Sequence, residues 1–153
     1  MSMDSIDSKI LTIISEALPI DENPFQSVAE RTGISEEEVI ARIRALKDKG
    51  IIRRIGAVIN PKALGWHSTL CAASIPENKI NDYAQAVNSF QEVTHNYVRS
   101  GEPNCWFTLI TPTKKRAGEI IGELSRKLNV EILDLPAERI FKIKVAFNLE
   151  EQE

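Results

Sequence analysis

The spacing of apolar residues changes once along this chain, at Gly50, and that change limits what the chain can fold into. From Ser5 to Gly50 apolar side chains recur every three or four residues; beyond Gly50 they come in short alternating runs. Ile6, Ile10, Ile13, Ile14 and Ala17 predict one face of a first helix, stopped by Pro19. Pro24 opens a short second helix through Val28, Ala29 and Arg31, closed by Gly33. Ser35, with Glu38 three residues on, predicts a capping box for a third helix with Val39, Ile43 and Leu46 inward. Gly50 is its natural stop. A short helix, a turn at Gly33-Ile34 and a longer helix make a helix-turn-helix pattern.

After Gly50 the order is strand-rich. Ile51–Ile59 is β-rich and broken by Asn60-Pro61. Trp66–Ile75 reads as a strand and Asn78–Phe90 as a helix. Glu92–Arg99 and Asn104–Thr111 are strands joined by the turn Ser100-Gly101-Glu102-Pro103. Thr113–Leu128 is a helix, and Val130–Leu135 and Arg139–Phe147 supply further strands. Strand, helix, strand, strand, helix, strand is the split βαβ, ferredoxin-like order. The fold class is therefore α+β: a winged helix-turn-helix domain over residues 1–60 and a ferredoxin-like (βαββαβ) domain over 61–153. The boundary is expected near Asn60–Gly65.

Composition narrows the function. The 153 residues are 42% hydrophobic and 27% charged, as in ordinary globular proteins, which excludes a disordered tail or a collagen. No apolar run approaches the ~20 residues that cross a bilayer. Met1 to Lys9 carries Asp4 and Asp7 and lacks the build of a secretion signal. Cys71 and Cys105 are too few for a disulfide framework and fit a reducing cytoplasm. They read as buried, inert thiols.

A helix-turn-helix invites a DNA reading, and the charges oppose it. Residues 1–60 hold eight basic against ten acidic side chains, a net −2, where DNA readers are normally positive. Glu36, Glu37 and Glu38 crowd the start of the third helix, the end that usually meets base edges. Arg42, Arg44, Lys47 and Lys49 read as a solvated face with ion pairs, so DNA is not an expected partner.

The unusual segment is Val93-Thr94-His95-Asn96-Tyr97-Val98-Arg99. Strand alternation places Val93, His95, Tyr97 and Arg99 on one face, with His95 and Arg99 about 13 Å apart at ~3.3 Å per residue. Imidazole, phenol and guanidinium make an expensive core, since each buried polar group needs a partner. They suit a large, flat, multiply anionic ligand in a cavity of matching size. Arg99 can hold a carboxylate through two parallel hydrogen bonds. His95 can ligate iron or supply a proton. The next strand is expected to bring Asn104, Trp106 and Thr108 to one face, with Trp106 as an aromatic wall. His67 reads as a pocket residue, and Arg53 and Arg54 straddle the domain junction. Each has an ordinary alternative: a hydrogen-bonded structural histidine, half-buried sheet aromatics, rim ion pairs.

Val28-Ala29-Glu30-Arg31-Thr32-Gly33-Ile34-Ser35, Gly50-Ile51-Ile52, Ile59-Asn60-Pro61 and Leu64-Gly65 resemble the Lrp/AsnC transcription regulators. Those have a ligand domain that pairs through its sheet. Where they carry a Gly-Asp-Tyr-Asp-like turn, this chain has Ser100-Gly101-Glu102-Pro103-Asn104-Cys105-Trp106-Phe107. That segment, the His95-x-Tyr97-x-Arg99 strand, Arg54-Ile55-Gly56-Ala57-Val58, Leu135-Pro136-Ala137-Glu138 and Phe141–Phe147 resemble the siroheme decarboxylases of alternative haem and haem d1 synthesis. Cys105 stands where that family would have an aliphatic residue.

The resemblance implies a carboxy-lyase that removes CO2 from the C12 and C18 acetate side chains of siroheme, giving 12,18-didecarboxysiroheme. It implies His95 or Tyr97 as catalytic acid, with His95 alternatively the axial ligand of the substrate iron. Arg99 with Arg54 would clamp carboxylates, and Asn104, Trp106 and His67 would line the site. No cofactor is expected beyond the iron tetrapyrrole substrate itself. The expected partner is a homologous second subunit, or another copy of the chain, in the cytoplasm. The competing class is a DNA-binding regulator that senses a small ligand or haem.

Overall fold

A computed structural model of the chain describes residues 3–142 and residue 149. The chain divides into two compact units, Met1–Ala57 with Lys142–Glu153, and Val58–Phe141. The division thus falls at Ala57–Val58, with the C-terminal stretch from Lys142 grouped with the first unit.

Three helices build the first unit: α1 (Ser5–Glu16), α2 (Pro24–Thr32) and α3 (Glu36–Asp48). Asp4 and Asp7 form a reciprocal capping box at α1, a pairing that the sequence reading did not identify. α2 opens on Pro24 and ends at Gly33, whose φ of 75° is the left-handed turn that glycine adopts freely. Ser35 Oγ accepts the Glu38 N–H at 3.2 Å, but the expected capping box is only half formed. The Glu38 carboxylate accepts instead from Arg42 Nε at 2.9 Å. Arg42 Nη1 also donates to Asp4 at 2.7 Å and to Asp7 at 2.9 Å. This guanidinium ties α3 to the start of α1. Ile10, Val28, Ala29, Val39, Ile43 and Leu46 form the core beneath it.

The β-rich stretch Ile51–Ile59 forms no strand. A strand needs a hydrogen-bonding neighbour as well as β-branched residues, and none lies alongside it among the described residues. The wing expected of this domain is therefore absent from them. Of the strand expected over 139–147, residues 139–142 are irregular and 143–147 lie outside the described residues.

The second unit follows the expected order: β1 (His67–Ala73), α4 (Ile80–Asn88), β2 (Val93–Val98), β3 (Cys105–Thr111), α5 (Lys114–Leu128) and β4 (Leu133–Leu135). The sheet runs β2-β3-β1-β4, with every neighbouring pair antiparallel. Helices α4 and α5 cover one face. Cys71, Ala73, Cys105, Phe107 and Leu109 from the strands meet Tyr83, Val87, Ile120 and Leu124 from the helices there. Thr69 Oγ1 donates to Asp134 at 2.5 Å and secures the short edge strand β4.

Candidate functional site

The edge strand β2 does not alternate evenly. Val93 pairs with Leu109, but His95 pairs with Thr108, so Thr94 is an extra residue in a β-bulge. The bulge reverses the parity expected from uninterrupted alternation. Val93 packs against the helix-covered core, while His95, opposite Thr108, and Tyr97, opposite Trp106, lie on the other face. Val93 therefore does not share a face with His95, Tyr97 and Arg99, which corrects that expectation.

The sheet face opposite α4 and α5 carries four of the expected groups. The Arg99 guanidinium lies 4.8 Å from the Tyr97 ring centre and 5.6 Å from that of Trp106. Arg99 Nη2 donates to the Tyr97 hydroxyl at 3.3 Å. Trp106 Nε1 donates to the Pro103 carbonyl at 2.8 Å, which fixes the indole plane. His95 Nδ1 lies 3.2 Å from Thr94 Oγ1; among the described residues nothing engages Nε2. Leu70 and Ala72 of β1 continue this face beside Thr108 and Trp106, and Leu135 and Leu133 of β4 follow them. Leu133 and Leu135 are 40% and 43% exposed.

Asn104 and His67 lie elsewhere in the second unit. The Asn104 carboxamide is engaged with Ile75, accepting its N–H and donating to its carbonyl, both at 2.8 Å. It joins the ends of β1 and β3. His67 pairs with Thr111, in the parity of Thr69 and Cys71, and so lies on the opposite sheet face from His95. Among the described residues its Nε2 is buried without a hydrogen-bond partner. Arg54 is exposed on an irregular segment of the first unit.

Neither of two cavities formed by the described residues is the one expected around His95, Tyr97 and Arg99. One cavity of about 120 Å³ lies among Ile75, Pro76, Asp82 and Leu128; another of about 320 Å³ lies among Ser74, Pro103, Glu131 and Leu133. Neither is lined by these three residues or Trp106. Among the described residues of this unit, α4 and α5 pack on the opposite side of the sheet, and no helix of the unit lies over the polar cluster.

On the covered face, burial pushes the Cys71 thiol up to about 12, with Asp134 adding to the effect. Burial also raises Cys105 and the Tyr83 phenol. Those groups are held neutral. Among the described residues no group of histidine, cysteine and carboxylate side chains is placed to hold a metal ion, and no helix is long and apolar enough to cross a membrane.

Fold and site together define a two-domain protein of the AsnC type, with a ligand domain whose sheet presents an Arg-Tyr-Trp-His face. Residues 63–142 match the AsnC-like ligand binding domain, and residues 7–53 match the siroheme decarboxylase NirDL-like HTH domain. The siroheme decarboxylase alpha subunit of Oleidesulfovibrio alaskensis is 42% identical over 97% of this chain and 91% of its own length. The NirD subunit of the Pseudomonas aeruginosa enzyme is 33% identical over 97% of this chain and 98% of its own length. The chain belongs to the siroheme decarboxylase family. The crystal structure of the siroheme decarboxylase NirDL superposes with a TM-score of 0.69 at 32% identity, covering 95% of this chain and 48% of that one. An AsnC family transcriptional regulator from Agrobacterium tumefaciens reaches a TM-score of 0.77 at 21% identity, covering 95% of this chain and 96% of its own. That second likeness is one of fold.

Proposed function

We propose that the chain is a siroheme decarboxylase subunit that removes CO2 from the C12 and C18 acetate groups of siroheme. The observation that carries this reading is the Arg99 guanidinium lying against Tyr97 and Trp106 on an uncovered sheet face, with His95 on the same strand. A flat macrocycle bordered by eight carboxylates needs an aromatic surface to lie on and a fork of N–H donors at its edge. A solved NirDL structure holds an iron-uroporphyrin III analogue at 30% identity to this chain, and the same class of ligand is proposed here.

The chemistry places modest demands on the protein. The bond from the acetate methylene to its carboxylate breaks, CO2 leaves, and the electron pair passes into the conjugated macrocycle. The substrate is thus its own electron sink, and no further cofactor is required. A proton must then reach the methylene carbon to make a methyl group, a general-acid task. His95 or Tyr97 supplies it; Arg99 orients the carboxylates. If His95 instead ligates the substrate iron, Tyr97 is the acid. Substituting His95 with alanine separates these roles. Loss of the absorption shift of bound iron tetrapyrrole marks a ligand; retained binding with lost turnover marks the acid.

A homologous second subunit is proposed to cover this face, in line with relatives named as alpha, NirD and NirG subunits. Leu133 and Leu135, half exposed on the same face at the far edge strand, would meet it. The buried free thiols fit a reducing cytoplasm. The test is anaerobic incubation with siroheme, with and without a homologous chain, followed by mass spectrometry. Two successive CO2 losses are expected. No mass change with any partner, together with salt-sensitive binding to promoter DNA, would reverse the reading toward a regulator.

A further inference from the structure

Asn96 lies between His95 and Tyr97, and it points the other way. It pairs with Phe107, a core residue, so its side chain enters the helix-covered side while its neighbours face outward. There the Tyr83 hydroxyl donates to Asn96 Oδ1 at 2.9 Å, and Asn96 Nδ2 donates to Asn88 Oδ1 at 2.9 Å. Tyr83 is only 1% exposed and comes from the middle of α4; Asn88 ends that helix. An inward strand position beside Phe107 would ordinarily hold an apolar residue. A carboxamide is costly there unless its polar atoms are met, and here both of them are.

The reason for accepting it lies in the strand. β2 is an edge strand, with β3 on one side only, and the bulge at Thr94 interrupts that ladder just before His95. Backbone bonding to β3 therefore holds the functional stretch less firmly than it would hold a central strand. Arg116 grips Glu92 at 2.9 Å ahead of the bulge, and the Arg99 N–H donates to the Asn104 carbonyl at 2.7 Å beyond the strand. Between those anchors, the Asn96 carboxamide ties β2 to the helical layer through hydrogen bonds. Because side chains alternate, fixing Asn96 fixes the directions of both His95 and Tyr97.

We infer that Asn96, held by Tyr83 and Asn88, is a positioning residue that sets His95 and Tyr97 on the open sheet face for the decarboxylation proposed above. The inference rests on that reading. A displacement of about 1 Å can cost as much as ~10²-fold in rate, so a loose edge strand would matter even in a fully folded protein.

The test uses the full chain with its partner subunit. Tyr83→Phe keeps the ring that meets Phe107 at 6.5 Å and removes only the hydroxyl; Asn96→Ala removes both bonds. Each is expected to lower kcat about tenfold or more. Affinity for iron-uroporphyrin III should stay within about twofold, and amide hydrogen exchange should quicken over residues 95–98 but not over β1 or β3. Asn96→Asp still accepts from Tyr83, and turning over the Asn88 carboxamide supplies a donor to its second oxygen. It should recover most of kcat. An unchanged kcat in both Tyr83→Phe and Asn96→Ala overturns the positioning role. So does a loss of kcat that only follows the melting temperature, with exchange quickened throughout the domain. If the unmodified assembly releases no CO2 from siroheme, the parent reading falls first, and the positioning role falls with it.

Discussion

The two faces of the four-stranded sheet are cut from the same strands and have opposite physics. On the helix-covered face, Phe107, Leu109 and Cys71 are sealed from water against Tyr83, Ile120 and Leu124. One residue along, on the other face, Trp106, Tyr97 and Arg99 stack in partial contact with solvent. Stability resides in the first face, through burial of apolar area at roughly 25 cal/mol per Å². Ligand chemistry is proposed for the second. Because the period is two, adjacent residues can be altered for one purpose with little effect on the other.

The largest expected effect breaks the comparison on the open side. His95→Ala should lower siroheme turnover by ~10²–10⁴-fold, the usual span for a lost proton donor. Its unfolding free energy in urea should change by no more than about 0.5 kcal/mol, as for an exposed side chain. A large stability loss would mean that the open face also carries the fold. Phe107→Ala tests the covered side. It removes a fully buried ring and should cost about 3–5 kcal/mol in urea unfolding, with ligand affinity preserved in whatever fraction stays folded. A smaller step is Arg99→Lys, which keeps the charge and loses the planar fork stacked on Tyr97 and Trp106. KM should rise about tenfold with the melting temperature unmoved; an unchanged KM would remove Arg99 from carboxylate binding.

Much of this fold was legible in the sequence because helices and capping signals are local. Val39, Ile43 and Leu46 sit inward as their spacing predicts, and Ser100-Gly101-Glu102-Pro103 does join two paired strands. What failed was non-local. The bulge at Thr94 is defined by pairing with Leu109 and Thr108, and no glycine or proline marks it. A different pairing, that of His67 with Thr111, places His67 on the covered face. Asn104 looked available to a ligand until Ile75, twenty-nine residues away, took both ends of its amide. Arg42 has the ion pairs that its reading expected, but only Glu38 is a local partner; Asp4 and Asp7 reach it from another helix. Ile51–Ile59 has strand composition, but composition cannot say whether a neighbouring strand is present. For Asn96 a signal did exist, an amide at an inward position of an otherwise apolar parity, but reading it requires knowing where the bulge falls.

The smallest effect concerns pH and sharpens the covered face alone. Burial raises the Cys71 thiol from an ordinary value of 9.0 to about 12, and it raises Cys105 and Tyr83 in the same direction. In the unfolded chain these groups regain ordinary acidity, so between about 9 and 12 the unfolded state holds fewer protons than the native one. Stability must then fall as pH rises through that window, and it is unaffected by these groups at neutral pH. Cys71→Ala should make the alkaline decline shallower without abolishing it, since Cys105 and Tyr83 remain. Urea midpoints at about pH 8 and about pH 10.5 would show it, alongside a thiol reagent at about pH 8 that modifies Cys71 only after unfolding. Rapid modification of the native protein would mean that the covered face opens to water, and the contrast between the two faces would then lose its basis.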